Sequence, residues 1–344
     1  MINKILCIGP YKKPSNAYIR TVSFEALGYK VVRVNVNDNF SRSNLFFRII
    51  RRVLLRPVYR KALVRLVKKT IRDCAPDLIF LEKGDDFSGH DLRSFKKILS
   101  PNSKIAHLNP DDPFGYFRGG WGKFISAIPY YDMHFIPKEL NRVDYEGLGA
   151  KSVHLFDRSF DPIYHRPINL SASDLKDYQC DVGFIGSYAE KRESIIYEML
   201  RHGVSVTIWG QDWYKGQHWG SLKKYWRGAT QIGDDYIKAI CGMTIALHFV
   251  RHENRDFQDS RTFEIPACGS FMLAERTPDH ERLFLEDEEA VFFDSAEDCI
   301  AKCLYYLNED EVRTRISVAG RQRVIDSNYD YISRSKAMLD LIAI

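Results

Sequence analysis

The sequence predicts an α/β protein with two Rossmann-like domains of similar size. Near the N-terminus, a buried strand, a helix and a second strand follow one another within residues 4–36. The same succession starts again at 180–210, after a polar stretch. In the segment 254–276, a helical turn leads through a glycine into a short apolar run. Such crossovers imply parallel sheets, and a chain of 344 residues is long enough for two of them.

The composition is that of a soluble globular protein, with 45% apolar and 28% charged residues. The first nine residues lack the length and cleavage site of a signal peptide, and no apolar run approaches the ~20 residues that span a bilayer. The seven cysteines form no CxxC pair, and Cys299 and Cys303 lie one helical turn apart. We therefore expect a cytoplasmic protein with reduced thiols and no metal site.

The first domain begins with a βαβ unit. Residues 4–9 form an apolar strand, 17–27 a helix that ends before Gly28, and 30–36 a β-branched second strand. The loop at 10–16 lies where open α/β sheets bind ligands, although Gly9-Pro10-Tyr11 is not a phosphate fingerprint. We expect only that this loop is close to a cleft.

A basic segment follows at 42–72, where an amphipathic helix, or two helices interrupted at Pro57, is predicted. It holds eleven cations and no acid, whereas the rest of the chain is net negative: Arg42, Arg48, Arg51, Arg52, Arg56, Arg60, Lys61, Arg65, Lys68, Lys69 and Arg72. One interpretation is a packed helix with a basic solvated face. Another is contact with anionic lipid or an acidic, lipid-linked acceptor. Nucleic acid is disfavoured, because the chain has no known binding motif.

Two further strands, 77–81 and 104–108, lead to an acidic loop. The second strand runs into Asn109-Pro110-Asp111-Asp112-Pro113, so two aspartates lie between prolines at the end of a strand. Either this loop lies in a cleft, or it is a turn that uses aspartate and proline for their backbone preferences. Strands at 131–136 and 152–156 complete the first domain, 1–168, and the polar residues 169–178 are predicted to be the linker.

The second domain, 179–330, starts with a strand at 180–185 and a Gly186-Ser187 loop before a helix. Glycine allows a phosphate to approach the main chain, and the helix start offers free N–H groups. Lys191 and Arg192 supply cations for the same purpose. This pattern predicts a phosphate-binding turn at the carboxyl end of the strand.

The segment 254–276 carries two carboxylates, Asp256 and Glu264, eight positions apart. Glu264 is predicted to open a helical turn that ends at Gly269, before a strand at 270–274. Carboxylates accept paired hydrogen bonds from vicinal hydroxyls, so the pair could hold two sugars of one ligand. The alternative is an ordinary helix–strand junction with a surface glutamate.

Asp256-x7-Glu264, followed by Ala267-Cys268-Gly269, resembles the Glu-x7-Glu donor signature of GT-B glycosyltransferases. The longer string SRTFEIPACGSFMLAERTPDHERLF and the Asp-Asp-Pro loop resemble the CgeB-like glycosyltransferases. The similarity is most extensive over 180–330. It implies a GT-B fold with a cleft between two Rossmann-like domains, and a final helix, 331–344, that crosses back to the first domain.

The resemblance implies roles for individual residues. Glu264 would hold the ribose of a nucleotide sugar, and Asp256, where the family more often has glutamate, would face the hydroxyls of the donor sugar. Arg261 would reach the diphosphate or hold Glu264 in place. The remaining donor-binding residues would neutralise the diphosphate: Gly186, Ser187, Lys191 and Arg192.

The implied activity is a hexosyltransferase-like transfer from a nucleotide sugar to a glycan or lipid-linked acceptor, in cell-surface polysaccharide or glycoconjugate synthesis. No Asp-x-Asp motif is apparent, so we expect no metal and no cofactor besides the donor. An inverting enzyme would use Asp112 or Asp111 as its base, whereas a retaining enzyme would need none. The basic segment could hold the protein on the inner face of the membrane.

Two alternatives stay open. A GT-B-fold nucleotide-sugar epimerase or phosphorylase would use the same donor pocket. A non-catalytic protein could use the cations at 42–72 to dock on membranes or nucleic acid.

Overall fold

The computed structural model describes residues 2–13, 15–37, 56–115, 120–229 and 231–344, which form two units. Unit 1 consists of Met1–Asp157, His252–Arg255 and Tyr331–Ile344. Unit 2 consists of Arg158–Arg251 and Asp256–Asp330. Each contains one parallel sheet, as predicted from the repeated βαβ pattern.

The sheet of unit 1 has six parallel strands in the order β2-β1-β3-β4-β5-β6. Their bounds are β1 Lys4–Gly9, β2 Lys30–Asn35, β3 Leu78–Glu82, β4 Lys104–Leu108, β5 Met133–Ile136 and β6 Val153–Leu155. The central strands β1, β3 and β4 are buried over nearly their whole length, which explains their continuous apolar sequences.

Helices cover both faces of this sheet. Their bounds are α1 Asn16–Ala26, α2 Arg56–Cys74, α3 Gly89–Lys96, α4 Gly122–Ala127, α5 Arg142–Gly147 and, from the end of the chain, α14 Tyr331–Ala343. Alternate residues of β1 point to opposite sides, so Leu6 packs in the cluster with α2, α3 and α4, and Ile5 in the cluster with α1 and α14.

Of the basic segment, the part from residue 56 onward is described, and it forms α2. This helix buries Leu63, Val67 and Ile71 against the sheet. Lys61 and Lys69 are exposed on its outer side. The described half therefore matches the first interpretation, a packed helix with a basic solvated face. The predicted contacts of Arg42, Arg48, Arg51 and Arg52 lie outside the described residues.

The sheet of unit 2 has five parallel strands in the order β11-β10-β9-β7-β8. The strands are β7 Cys180–Ile185, β8 Val206–Trp209, β9 Met243–His248, β10 Met272–Glu275 and β11 Val291–Phe293. The helices are α6 Ala172–Tyr178, α7 Glu190–Arg201, α8 Trp219–Leu222, α9 Asp234–Cys241, α10 Arg261–Ala267, α11 Pro278–Leu283, α12 Ala296–Leu307 and α13 Asp310–Asp326.

Two apolar clusters fill unit 2, one on each face of its sheet. Ile196 and Met199 of α7 pack with Cys303 of α12 on one side. On the other side, Ile240 of α9 packs with Phe263 of α10. Helices α9 and α10 thus share one face, and both bring polar side chains to the carboxyl end of the sheet.

The structure corrects the predicted domain boundaries. The first segment of unit 1 ends at Asp157, not at residue 168, and most of the predicted linker at 169–178 is helix α6. Ser171 and Asp174 form a capping box that satisfies the first N–H groups of this helix, so a polar stretch becomes helical. Helix α14 lies in unit 1 against α1.

The helix around Glu264 also begins earlier than predicted. It starts at Arg261, so Glu264 is its fourth residue rather than its first. It ends before Gly269, which has a φ of +74° as expected for a C-terminal glycine. Along the described ranges, no helix combines the length and the apolar character needed to cross a bilayer.

Candidate functional site

The carboxyl ends of the unit 2 strands form the edge at which parallel α/β sheets bind ligands. Here β7 leads into Gly186 and Ser187, and β9 leads into Phe249 and Val250. The neighbouring strand, β10, ends at Glu275. We call this region the carboxyl edge of unit 2.

Close contacts fix the loop after β7. The Gly186 N–H donates to the Trp209 carbonyl at 2.8 Å, and its carbonyl accepts from Trp213 Nε1 at 2.9 Å. A Cβ on Gly210 would lie 1.8 Å from the Gly186 oxygen, so no larger residue fits there. The sequence pointed to Gly186 by its position after a strand. Trp213 was missed, because its partner is 27 positions away.

Arg192, in the first turn of α7, joins the ends of two strands. Its guanidinium donates to the carbonyls of Ser187 at 3.0 Å, Val250 at 3.0 Å and Phe249 at 3.2 Å. A carbonyl carries no net charge, so these bonds orient the guanidinium without neutralising it. The structure thus brings Arg192 and Ser187 together, and it gives Arg192 a positioning contact that was not predicted.

Lys191 extends to the end of β10. Its Nζ lies 2.5 Å from Glu275 Oε1, and its side chain is 57% exposed. Its charge is therefore already balanced by a carboxylate, which a diphosphate would have to replace. The Glu275 carbonyl in turn accepts a hydrogen bond from His280 Nδ1 at 2.7 Å.

Glu264 is a buried carboxylate, 6% exposed, with two side chains around it. One oxygen accepts a hydrogen bond from the Tyr236 hydroxyl. The other faces His165 Nε2 at 3.8 Å, and His165 Nδ1 accepts from the Asp161 N–H. Burial, and then the adjacent Glu264 charge, raise the pKa of Tyr236 well above its usual value, so this residue is a neutral donor. Neither Tyr236 nor His165 was predicted as a site residue.

Arg261 lies one helical turn before Glu264. Its Nη1 is 3.5 Å from Asp259 Oδ2, and its main-chain N–H donates to Asp259 Oδ1 at 2.7 Å. Its Nε is buried and has no hydrogen-bond partner in the described part of the chain. Arg261 therefore has donor capacity left, as a ligand-binding arginine requires.

A chain of buried polar groups connects β9, α10 and α11. Thr262 Oγ1 lies 3.0 Å from both His248 Nε2 and His280 Nε2. Because His280 Nδ1 donates to a carbonyl, Nε2 accepts from the Thr262 hydroxyl, which itself accepts from His248. Burial lowers the pKa of His248 to about 3 and also lowers that of His280, so both rings are neutral at pH 7. These residues lie in or near the segment 254–276. The sequence did not predict their hydrogen-bond network, because residue type alone does not show which side chains will meet.

Asp256, the second carboxylate predicted to bind the donor, is 8% exposed and lies shortly after the helical turn His252–Asn254. Its N–H donates to the Arg251 carbonyl at 3.1 Å. Asp256 and Glu264 are thus both largely buried carboxylates of unit 2.

The two predicted bases, Asp111 and Asp112, lie in unit 1 and differ sharply. Asp112 is fully buried and accepts from Asn141 Nδ2 at 2.9 Å, from the Phe114 N–H at 2.9 Å and from the Arg255 guanidinium. Burial would raise the pKa of Asp112, but these donors, Arg255 first, bring it below its usual value. Asp111 is about one-third exposed and lies 3.2 Å from Lys83 Nζ. It is the more accessible of the two.

Comparisons with known proteins agree with the fold. Residues 192–340 match the family model described as glycosyl transferase-like. The fold is GT-B, the fold of its structural neighbours. No curated protein matches the sequence.

Three neighbours are representative. Sucrose-phosphate synthase from Thermosynechococcus elongatus has a TM-score of 0.70 at 12% identity, over 99% of this chain and 98% of that one. HepE from Anabaena, solved with UDP and glucose, has a TM-score of 0.67 at 12% identity, over 99% of both chains. A Rickettsia africae glycosyltransferase has a TM-score of 0.67 at 11% identity, over 99% and 97%. At these identities the likeness shows the fold alone.

Proposed function

We propose that this protein is a glycosyltransferase that moves a sugar from a nucleotide-diphosphate sugar to an acceptor hydroxyl. The observation that carries the proposal is the setting of Glu264. It is a buried carboxylate on a short helix of the glycosyl transferase-like region, with a neutral hydroxyl on one oxygen. Such a group is suited to accept the paired hydroxyls of a ribose, since a charged acceptor forms the stronger hydrogen bonds.

The diphosphate would lie at the carboxyl edge of unit 2. Ser187 would offer its main-chain N–H group, beside Gly186, whose own N–H is held by the Trp209 carbonyl. Arg192 would offer a guanidinium oriented by uncharged carbonyls. Lys191 would exchange Glu275 for a phosphate oxygen. Arg261 would use its remaining donor capacity. These cations would stabilise the negative charge that develops on the departing diphosphate.

Asp256 would bind the hydroxyls of the donor sugar. We propose transfer without a metal ion, because these cations would supply the positive charge at the leaving group. Of the two candidate bases for an inverting reaction, Asp111 is favoured, because Asp112 is occupied by Arg255 and Asn141.

The narrower assignment is a CgeB-like hexosyltransferase acting on a glycan or lipid-linked acceptor in cell-surface polysaccharide synthesis. It is supported by the sequence string around Glu264 and by the basic segment. Exposed cations of α2 would place the enzyme against the anionic inner face of a membrane, where a lipid-linked acceptor lies.

Glu264→Gln tests the donor pocket. The substitution keeps the shape of the side chain but removes its charge, so nucleotide affinity should fall by about tenfold, the loss of roughly one charge-assisted hydrogen bond. Calorimetry with UDP and UDP-glucose measures this directly, since UDP is the nucleotide in the HepE structure. If neither UDP nor UDP-glucose binds to the wild type, the same calorimetry is repeated with other nucleotides.

Glu311→Gln is the matched control, because Glu311 is an exposed glutamate on α13. Both variants should melt close to the wild type. Unchanged nucleotide affinity in Glu264→Gln would contradict the assignment. Incubation with nucleotide sugar and no acceptor separates the alternatives, since an epimerase releases an epimer.

A further inference from the structure

The opposite edge of the unit 2 sheet contains a cavity of about 380 Å³ that the donor pocket does not use. It lies where β9 and β10 begin, and its lining includes Met243, Ser270 and Thr314. Two cysteines, Cys241 and Cys268, are also on its wall.

The two cysteines lie against each other. Cys241 Sγ donates to the Cys268 carbonyl oxygen at 3.8 Å and lies 3.8 Å from the Arg166 carbonyl oxygen. Cys241 is half-buried and open to the cavity, whereas Cys268 is 3% exposed. The Cys241 thiol is therefore accessible from solvent, and the Cys268 thiol is buried next to it.

The pKa values of the two thiols also single out Cys241 as the more reactive one. Interaction with the Cys268 side chain lowers the pKa of Cys241 to about 7, so more of it is thiolate at neutral pH than in a free cysteine. The same contact, together with burial, raises the pKa of Cys268. Since the thiolate is the nucleophile, Cys241 would react first.

We propose that Cys241 and Cys268 form a redox-sensitive thiol pair that reacts with a small-molecule disulfide. The Cys241 thiolate attacks the disulfide RSSR, forming Cys241–S–S–R and releasing RS⁻. Cys268 Sγ then attacks Cys241 Sγ and expels the second RS⁻, which leaves with the Cys268 proton. The two protein thiols are oxidised to one disulfide, and RSSR is reduced to two thiols.

Other cysteines of unit 2 show why this pair is special. Cys299 and Cys303 also stand one turn apart, on α12, but both are 0% exposed. Burial raises the pKa of Cys180 to about 11. Among these thiols, Cys241 combines access with acidity.

The two cysteines lie at the C-terminal ends of α9 and α10, the helices that carry Tyr236 and Glu264. Cys241 is the last residue of α9, which carries Tyr236, and Cys268 is the C-cap of α10, which carries Glu264. The Cys268 N–H donates to the Glu264 carbonyl at 3.1 Å. A bond between the sulfurs would pull these ends together and disturb the Tyr236–Glu264 contact. This consequence rests on the proposed function.

The test is to incubate the reduced protein with oxidised glutathione and to map the products by mass spectrometry. The expected product has lost two hydrogens, contains a Cys241–Cys268 cross-link and returns to the starting mass with dithiothreitol. Alkylation of Cys241 by iodoacetamide should rise with an apparent pKa of about 7. Cys241→Ser should form no cross-link, and Cys180→Ser, the matched control, should behave as the wild type.

A glutathione adduct that stays on Cys241, or a cross-link through Cys180 or Cys299, would overturn the proposal. These readouts need no enzymatic activity, so they do not depend on the glycosyltransferase assignment. UDP affinity of the cross-linked protein tests the link to Glu264, and we expect it to be about tenfold weaker. Cross-linked protein with unchanged affinity, in a wild type that binds UDP, would refute that link.

Discussion

The two buried carboxylates Glu264 and Asp112 have different surroundings, and this decides what each can do. Glu264 accepts a hydrogen bond from a phenol on one oxygen and faces an imidazole nitrogen at 3.8 Å on the other. Asp112 meets a guanidinium, an amide and a main-chain N–H, so its charge is already balanced within unit 1. The first is suited to binding, and the second to holding a loop in place.

This role of Asp112 predicts a pH-dependent stability. Its pKa in the folded protein lies below the value of about 3.9 in an unfolded chain. Its ionised form therefore stabilises the fold fully above pH ~4, and the contribution is lost as the pH falls toward the folded pKa. Asp112→Asn should cost about 1–3 kcal/mol at pH 7, because Arg255 is left half-buried without its partner.

Thermal melts of wild type and variant between pH 7 and pH 3 measure this difference. The gap between the two melting temperatures should narrow below pH ~4. Asp177→Asn, on the exposed side of α6, should follow the wild type at every pH. A gap that stays constant down to pH 3 would mean that the charge of Asp112 is not involved.

At the scale of elements, Arg192 connects the ends of β7 and β9 through hydrogen bonds to the loops that follow these strands. Arg192→Ala removes three hydrogen bonds to carbonyls as well as a cation near the proposed diphosphate. We expect a loss of about 1–3 kcal/mol in stability, and turnover reduced more than donor affinity.

Arg192→Lys separates charge from geometry, because lysine keeps the cation but cannot span three carbonyls. If the position of the guanidinium is important, turnover should fall nearly as much in Arg192→Lys as in Arg192→Ala. Measuring kcat and KM for the donor in both variants distinguishes the effect of charge from the effect of position. A rise in KM alone would make Arg192 a ground-state ligand and exclude a role in the transition state.

The strands were predicted well, because their signal is local. Runs such as 4–9, 104–108 and 180–185 are mainly apolar and match the observed strands. The short helices α3, α4, α5 and α11 were not predicted, because six to eight residues give too few turns for a clear period.

The site was predicted only in its outline for a similar reason. Glu264 and Gly186 stand in recognisable strings, so their positions could be found by inspection. The partners could not, because Arg192 contacts residues 57 and 58 positions away and Arg255 contacts one 143 positions away. Such contacts follow from the folded sheet and leave no mark on the local sequence.

At the scale of the whole molecule, the positive charge is concentrated in one segment, and this predicts salt-sensitive membrane binding. Vesicles containing anionic lipid should co-sediment the protein at low salt and release it at high salt, since salt screens exposed charges beyond about 10 Å at 0.1 M. Arg48, Arg51 and Arg52 changed together to Gln should abolish the effect.

A matched control changes three exposed cations elsewhere, Lys215, Lys223 and Lys224, to Gln and should leave vesicle binding intact. Equal binding to neutral and anionic vesicles, or none to either, would favour the first interpretation of residues 42–72, a packed helix with a basic solvated face.

Unit 1 is assembled from separate parts of the chain, and synthesis delivers these parts far apart in time. Phe24 and Phe80 are made long before their packing partners Met338 and Leu339, which lie far later in the chain. At about 5–20 residues per second, roughly 10–35 s pass between Asp157 and Tyr331. During that interval this face of the nascent sheet is covered by α1 without α14, and its remaining apolar surface is exposed to chaperones or to neighbouring chains. The half that is translated first is thus the half that finishes folding last.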